Sequence, residues 1–372
     1  MRIALVVAGP YPGLRGSQVL VQHLAAGIAQ RGHAVSLVTH GAGASAAPGP
    51  ALGRLLRDAV LVWRLWRVVR AERIDVIHAH NYEAAVAGLV VARATRRPLV
   101  YHGHNALAEE LPTYFRGTLA RRLARGLGRF LDAQVPRRAD FCIAVTEELG
   151  DILRRRGVSD RGLACIPPAR PPAELGSPPA GGASTGLVCY AGNLDGYQNV
   201  EFLLRSFARV RMRVPVARLV LVTHADAPRL RRDGLGVGVE VVGAGAYDEV
   251  RERLASADVA VCPRVERSGF PMKLLNYMAA GKAIVASAGS AKGLCDGVTG
   301  RIVPDGDEEA FAAAISELLE DAPVRARLGA AARCAVADPR AWDAVLDRVE
   351  AVYRRVCRDA SPPGLVALAC PE

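Results

Sequence analysis

Arg264-Val-Glu-Arg-Ser-Gly-Phe-Pro-Met-Lys-Leu-Leu-Asn-Tyr-Met-Ala-Ala-Gly-Lys-Ala-Ile-Val285 is the stretch on which the reading of the fold turns. An apolar run ends just before it at Cys262, and a polar loop follows. Residues 273–280 carry a helical pattern, and Gly281 leads into a second apolar run at 283–286. Strand, loop, helix, glycine and strand in that order make one βαβ unit of a parallel sheet.

The same alternation extends both ways. Upstream, candidate strands at 3–7, 35–39, 76–79, 99–102 and 141–145 interleave with candidate helices at 17–31, 55–73, 84–94, 118–134 and 147–156. Downstream, strands at 187–191, 219–223, 239–242, 259–262, 283–286 and 302–303 interleave with helices at 199–213, 248–255, 273–280 and 308–319. Two more helices follow, near 322–335 and 342–355. At 372 residues the chain is too long for one ordinary core. It reads as α/β, with two Rossmann-like, doubly wound domains facing across a cleft. The N-terminal domain spans 1–170, and a Pro/Gly-rich linker spans 171–186. The C-terminal domain spans 187–335, and a helix over 336–358 is placed to pack back on the N-terminal domain. Residues 359–372 form a loose, Pro-rich tail.

Composition narrows the setting. No run reads as a transmembrane span, since Arg57, Arg64, Arg67 and Arg70 interrupt the most apolar long stretch. Residues 1–8 flow into a Gly/Pro turn and read as a first strand rather than a signal peptide. The eight cysteines form no CxxC pair and lie mostly in apolar runs. They suit buried hydrophobes in a reducing, cytoplasmic compartment, and no metal site or cofactor is expected. Residues 1–170 hold 24 Lys+Arg against 12 Asp+Glu, so the first half carries the whole positive excess of a chain with net charge +11. That asymmetry points to an anionic partner on that half.

Ligands of open parallel sheets bind beyond the carboxyl ends of the strands. The first such loop, 8–17, contains Gly9, Gly13 and Gly16, without the G-x-G-x-x-G spacing. Gly16 and Ser17 still offer a turn and helix start that can approach a diphosphate. The second, Tyr101-His-Gly-His-Asn105, carries two histidines suited to a sugar or phosphate. Strand alternation is expected to point His102 away from His104. The third is the opening stretch. Free amides at its helix start, with Lys273 in the first turn, suit a nucleotide diphosphate, because a lysine there otherwise opposes the macrodipole.

With these residues in view, the chain resembles the glycogen-synthase-like, retaining family 4 glycosyltransferases ("glycosyl transferases group 1") of the GT-B fold. The resemblance runs through Gly16, Arg31-Gly-His-Ala-Val35, Val76-Ile-His-Ala-His-Asn81 and 98–104. It continues through 187–194, Ala257-Asp-Val259, 268–285 and Thr299-Gly-Arg-Ile-Val-Pro304. It implies a retaining transfer from a nucleotide diphosphate sugar, with the donor on the C-terminal domain and the acceptor on the N-terminal one. Carried over residue by residue, it makes His104, Lys273 and Ser268 the catalytic set. Gly16, Ser17, Asn193, Gly269, Phe270, Met272, Leu274, Leu275 and Asn276 become the donor-binding set. The family's two glutamates fall on Ser268 and Asn276, and its diphosphate-gripping Arg and Lys fall on Asn193 and Gln198. Lys273 is then the substitute cation, as in the family's Pro-x-Lys-Leu branch. Glu266 lies nearby but out of register. A GT-B protein that lost turnover and serves as a nucleotide-sugar-binding or regulatory partner is the alternative. A nucleotide-sugar epimerase on the same architecture has no sequence support.

The anionic partner expected is a membrane surface, with a lipid-linked or cell-envelope acceptor and the protein peripheral on the inner face. Residues 116–138 hold seven arginines against one acidic residue, Asp132. At helical spacing Leu119, Leu123, Leu127, Phe130 and Leu131 cluster apart from Arg121, Arg125 and Arg129. Such a stripe serves either the domain core or an interface. Nucleic acid is not expected, since aromatic residues make up 5% of the chain and no stacking motif is present.

Overall fold

The computed structural model describes residues 1–9, 11, 16–41, 52–171, 185–223, 236–244 and 247–360. Gly13, most of the expected linker (172–184) and the tail beyond 360 lie outside them. The N-terminal domain holds β1 (Arg2–Val7), β2 (Ala34–Thr39), β3 (Val76–His80), β4 (Leu99–Gly103), β5 (Phe141–Ala144) and β6 (Leu163–Cys165). They form a parallel sheet in the order β2-β1-β3-β4-β5-β6. Between them run α1 (Gly16–Gln30), α2 (Leu52–Ala71), α3 (Asn81–Thr95), α4 (Leu107–Glu110), α5 (Thr118–Gln134) and α6 (Glu147–Arg155). Two of these elements, β6 and α4, are too short to have left a periodic signal in the sequence.

The C-terminal domain repeats the plan. Its strands are β7 (Leu187–Ala191), β8 (Arg218–Thr223), β9 (Val239–Gly243), β10 (Val259–Cys262), β11 (Ala283–Ser287) and β12 (Arg301–Val303). They lie in the order β12-β11-β10-β7-β8-β9, all parallel. Its helices are α7 (Val200–Arg213), α8 (Tyr247–Ala255), α9 (Met272–Ala279), α10 (Glu308–Glu320) and α11 (Ala322–Val336), and α12 (Pro339–Ala360) closes the chain.

Central strands such as Ile3–Val6 and Val259–Cys262 are wholly buried because helices cover both sheet faces. Register is pinned at the amino ends by a recurring device, an aspartate just ahead of one strand that accepts the first amide of its neighbour. Asp75 takes Arg2 N at 2.7 Å, Asp140 takes Leu99 N at 2.7 Å and Asp258 takes Leu187 N at 3.0 Å. Helix starts are fixed in the same way: Thr146, Asp307 and Asp321 cap α6, α10 and α11. At the carboxyl end of β3 the chain enters α3 without a loop, through Asn81 in the left-handed region (φ 65), where asparagine is tolerated.

The last helix, α12, leaves the C-terminal domain and packs on the first. Trp342, Leu346, Val349, Tyr353 and Val356 join the N-terminal core. A Cβ at Gly27 would lie 2.8 Å from Leu346 Cδ1, so α1 and α12 meet because that position has no side chain. Arg31 pairs with Asp343 at 3.3 Å and Asp347 at 2.5 Å, and His33 meets Glu350 at 3.2 Å, along the rim. The two domains are thus joined twice. Leu346→Ala should lower the unfolding free energy by about 2–5 kcal/mol, the cost of a core cavity, and this is checked by urea titration.

Candidate functional site

Strand order reverses between β1 and β3 in the first sheet and between β7 and β10 in the second. These switch points open a crevice at the carboxyl ends of both sheets. The N-terminal wall is built by β3, β4 and the loop after β4. The C-terminal wall is built by the turn after β7, the 263–271 loop and the start of α9.

Lys273 sits at that start. Its ammonium donates to Gln198 Oε1 at 2.8 Å and lies 3.8 Å from the centre of the Tyr190 ring. A Cβ at Gly192 would be 2.8 Å from Lys273 Nζ, so the lysine reaches this place only past a glycine. Burial brings the ammonium down to about 7. Gln198, where the family resemblance puts a cation, is therefore the side chain that Lys273 touches. Asn193 donates instead to the Tyr197 hydroxyl at 2.9 Å. No side chain caps α9 at Pro271; the Leu274 amide bonds back to the Pro271 carbonyl at 2.9 Å, and the amides of Met272 and Lys273 have no partner among the described residues.

Ser268 has a different place from the one expected of a catalytic residue. It is wholly buried, and every polar group it has is bonded to the opposite domain. Its hydroxyl accepts from Ala106 N at 2.9 Å and donates to Glu109 Oε2 at 2.7 Å. Its amide donates to Glu109 at 3.2 Å, and its carbonyl accepts from Thr146 Oγ1 at 2.7 Å. It is a joint between the domains. A glutamate at 268 would face Glu109 carboxylate to carboxylate, so the serine and Glu109 are complementary.

Other expected residues sort by position. Gly16 faces α9, since a Cβ there would lie 3.1 Å from Met272, and Ser17 follows it half-buried. Phe270 and Met272 lean on the N-terminal core. Gly269 admits the Arg264 guanidinium, 2.2 Å from where its Cβ would be, and the His104 carbonyl. Leu274 is a core residue of the C-terminal domain and Leu275 is buried as well, so neither helix position turns its side chain to a ligand. Asn276 accepts from the Arg170 guanidinium.

Arg170, Glu109, Thr146 and Arg264 were not singled out in the sequence. Each meets its partner across 106 residues or more, or through a buried loop, and no local pattern marks that. Glu266 is nine-tenths buried beside Arg264, with 3.1 Å between charged atoms but without hydrogen-bond alignment. Burial, opposed by Arg264 and aided by Glu110 and Glu109, pushes its carboxyl up to about 7.

His104 donates or accepts at 3.0 Å with His80 Nδ1. His102 does not point elsewhere. Residues two apart on a strand share a face, and its ring stacks on that of His104 with centroids 5.0 Å apart. Burial brings His104 down to about 4 and His78 to about 3, and it holds His80 and His102 well below the usual range. Among the described residues, His78, His80 and His102 are the one group disposed to hold a metal ion, with candidate ligand atoms within 4.8 Å of one another.

Two six-stranded Rossmann-like domains closing on a crevice at their carboxyl ends define the GT-B architecture. Solved structures of that architecture share the fold along nearly the whole chain. One is sucrose-phosphate synthase from Thermosynechococcus elongatus, with TM-score 0.80 and 20% identity, covering 97% of this chain and 100% of that one. Another is HepE from Anabaena in complex with UDP and glucose, with TM-score 0.73 and 19% identity, covering 95% and 100%. In sequence, residues 14–173 match the family described as Glycosyltransferase Family 4, and residues 185–321 match Glycosyl transferases group 1. The chain belongs to the family 4, group 1 glycosyltransferases. Its relatives include a phosphatidyl-myo-inositol mannosyltransferase from Mycolicibacterium smegmatis, 27% identical over 96% of this chain and 94% of that protein. A D-inositol 3-phosphate glycosyltransferase from Nocardiopsis dassonvillei is 28% identical over 95% and 92%.

The buried imidazoles make stability depend on pH. Unfolded histidines take up protons near 6.5, whereas His104 stays neutral in the fold down to about 4 and His78 to about 3, and burial holds His80 and His102 well below the usual range too. Stability is therefore complete above 6.5 and is lost as pH falls, by about 1.4 kcal/mol per histidine per pH unit. Glu266, raised to about 7, and Asp132, raised by burial, work in the opposite sense but are two groups against four. The thermal midpoint should drop steeply between pH 6.5 and 4.5, and calorimetric scans check it.

Proposed function

We propose that this protein transfers a sugar, with retention of configuration, from a nucleotide diphosphate sugar to a lipid-linked acceptor at an anionic membrane surface. The observation that carries the donor half is Lys273, a buried ammonium at an uncapped helix start in the crevice. A departing diphosphate gathers charge there as the sugar bond breaks, and a desolvated cation with helix amides stabilises that charge most. The bonds through Ser268 hold the crevice closed, which excludes water from a reaction that hydrolysis would divert. His104 faces the transferred sugar. The donor is a substrate, and this reading calls for no separate cofactor. HepE, a likeness in fold, is known in complex with UDP-glucose, which supports a nucleotide sugar as the donor.

The acceptor half rests on the N-terminal helices. On α5 most of the apolar stripe stays out of the core: Leu119, Leu123, Leu127 and Phe130 are 71%, 67%, 53% and 60% exposed, and Leu131 alone of the stripe leans on it. The buried face is Ala124, Gly128 and Asp132. On α2, Leu56, Val60, Trp63 and Trp66 are exposed too, with Arg67 and Arg70 stacked on the two indoles at 4.7 Å and 5.4 Å. Right-handed crossovers put α2, α3 and α5 on the same side of the sheet, and Val86 and Val90 of α3 add to the exposed apolar surface. Exposed leucine and tryptophan among arginines is the make-up of an interfacial surface on anionic lipid. No helix among the described residues is long and apolar enough to cross a membrane. On this reading the protein works as a peripheral protein at the cytoplasmic face. The mannosyltransferase relative, whose name gives phosphatidyl-myo-inositol as its acceptor, supports a lipid-borne substrate.

Calorimetry with UDP, GDP and ADP tests the donor half. Lys273→Ala should weaken the preferred diphosphate by roughly tenfold to a hundredfold, the worth of a charge-assisted contact. Since the free ammonium titrates near 7, wild-type affinity should fall as pH rises above 7, with proton uptake on binding at pH 8. Unchanged affinity in the variant removes the assignment.

Vesicle sedimentation tests the acceptor half. Binding should need anionic lipid, fall steeply with salt, and drop when Arg121, Arg122 and Arg125 become Ser or when Leu123 and Leu127 become Gln. Equal binding to neutral vesicles, or none to either, leaves a soluble acceptor as the simpler view.

A further inference from the structure

Four imidazoles form a row on one face of the N-terminal sheet. His78 and His80 alternate along β3, His102 and His104 stand at the end of β4, and the register sets His80 opposite His102. Successive rings stack with centroids 4.4, 4.8 and 5.0 Å apart. A neutral imidazole has one donor and one acceptor, so a bond on one ring fixes the proton on the next.

The protons can be traced from α12. The Tyr353 phenol, buried and far above its usual range, keeps its proton and directs it at His78 Nδ1, 2.6 Å away. His78 therefore carries its own proton on Nε2 and donates it to His102 Nδ1 at 3.1 Å. His102 is left protonated on Nε2, a buried N–H with no hydrogen-bond partner. His80 Nε2 is the other buried nitrogen of the row without a partner. Tyr353, His78 and His102 carry three protons over two contacts, so one donor among them lacks an acceptor whichever way the bonds run. The His80–His104 pair, however, has a direction that orphans no buried N–H, the costlier state than a bare acceptor. His80 thus keeps Nε2 bare and its proton on Nδ1, inside the 3.0 Å contact with His104 Nε2. His104 Nε2 must accept, and its proton lies on Nδ1, which has no partner among the described residues and is not sealed from the crevice. A metal ion on His78, His80 and His102 would need a free nitrogen from each, and both of His78 are engaged.

We propose that His80 is a positioning residue that holds His104 as its Nδ1–H tautomer, so that His104 offers the transferred sugar an N–H donor from an uncharged ring. The proposal rests on the reading of His104 as the residue that faces the sugar.

Heteronuclear NMR of nitrogen-labelled histidines in the full chain at pH 7, without ligand, reads the tautomers directly. His104, assigned by its loss in His104→Ala, should show a protonated Nδ1 and a bare Nε2. His80→Leu should abolish that signature, whereas His80→Asn, whose amide can donate from the Nδ1 position, should keep it. With the nucleotide sugar selected by the diphosphate panel, His80→Leu should lower kcat about tenfold, with diphosphate affinity unchanged and most of the loss restored in His80→Asn. A bare His104 Nδ1 in the wild type overturns the proposal. So does a tautomer unaltered in His80→Leu, or stoichiometric zinc in the purified protein. Unchanged turnover in His104→Ala, with the signature present in the wild type, overturns the sugar contact and not the tautomer, so the two failures read apart.

Discussion

Every loop that bears chemistry in this chain leaves from the carboxyl end of a parallel strand. Parallel pairing imposes this: each strand must be re-entered through a crossover, so all strand ends of one sense gather on one edge. Two such edges face each other. His104 and Glu109 from one stretch, and Arg264, Glu266 and Lys273 from another roughly 155 residues on, line the same crevice because the two sheets share it. The aspartates ahead of β3, β5 and β10 serve this constraint, since a slip of one residue would turn His80 and His104 to the other face.

The crevice shows substitution by partnership. Where a glutamate would stand in the family resemblance, Ser268 stands, and the opposite domain supplies a carboxylate in contact with it through Glu109. Where a lysine would stand, Gln198 stands, and it holds Lys273 from the next loop in space. Asn276 is met by Arg170, the reverse arrangement, a neutral side chain facing a supplied cation. At 268 and 198 the expected charge is thus supplied by a contact between elements, and at 276 a cation stands where the resemblance calls for a carboxylate. Burial does the rest, bringing Lys273 and Glu266 to similar values near neutrality from opposite directions.

How much was legible can be argued from particular elements. The strands of both sheets announce themselves as apolar runs between helical periods, and those longer than three residues fall within about a residue of where the sequence puts them. The three-residue β6 left no such trace. The 264–285 stretch, read as strand, loop, helix and strand, folds as β10, the crevice loop, α9 and β11. Leu274 and Leu275 were grouped with ligand-binding positions because a motif marks a stretch of chain and not the direction of each side chain. The error over His102 was one of period: two residues along a strand is a full repeat.

What the sequence by itself determined is everything carried by local periodicity: two α/β halves, a lysine at a helix start, and a helix over 118–134 with one apolar and one basic side. Which side of that helix faces inward only the tertiary structure decided. Amphipathicity alone would send Leu119, Leu123, Leu127 and Phe130 to the core. Instead, a Cβ at Gly128 would lie 2.6 Å from the backbone of Ala108, and Asp132 accepts from Leu107 N at 2.9 Å, from Ala108 N at 3.1 Å and from the Tyr82 hydroxyl. A helix turned to bury the leucines would bring side chains against the Ala108 backbone and strip the Leu107 and Ala108 amides and the Tyr82 hydroxyl of the acceptor they share, and these contacts set the orientation. The partners in those contacts lie about 20 to 50 residues away, beyond the reach of any periodic pattern.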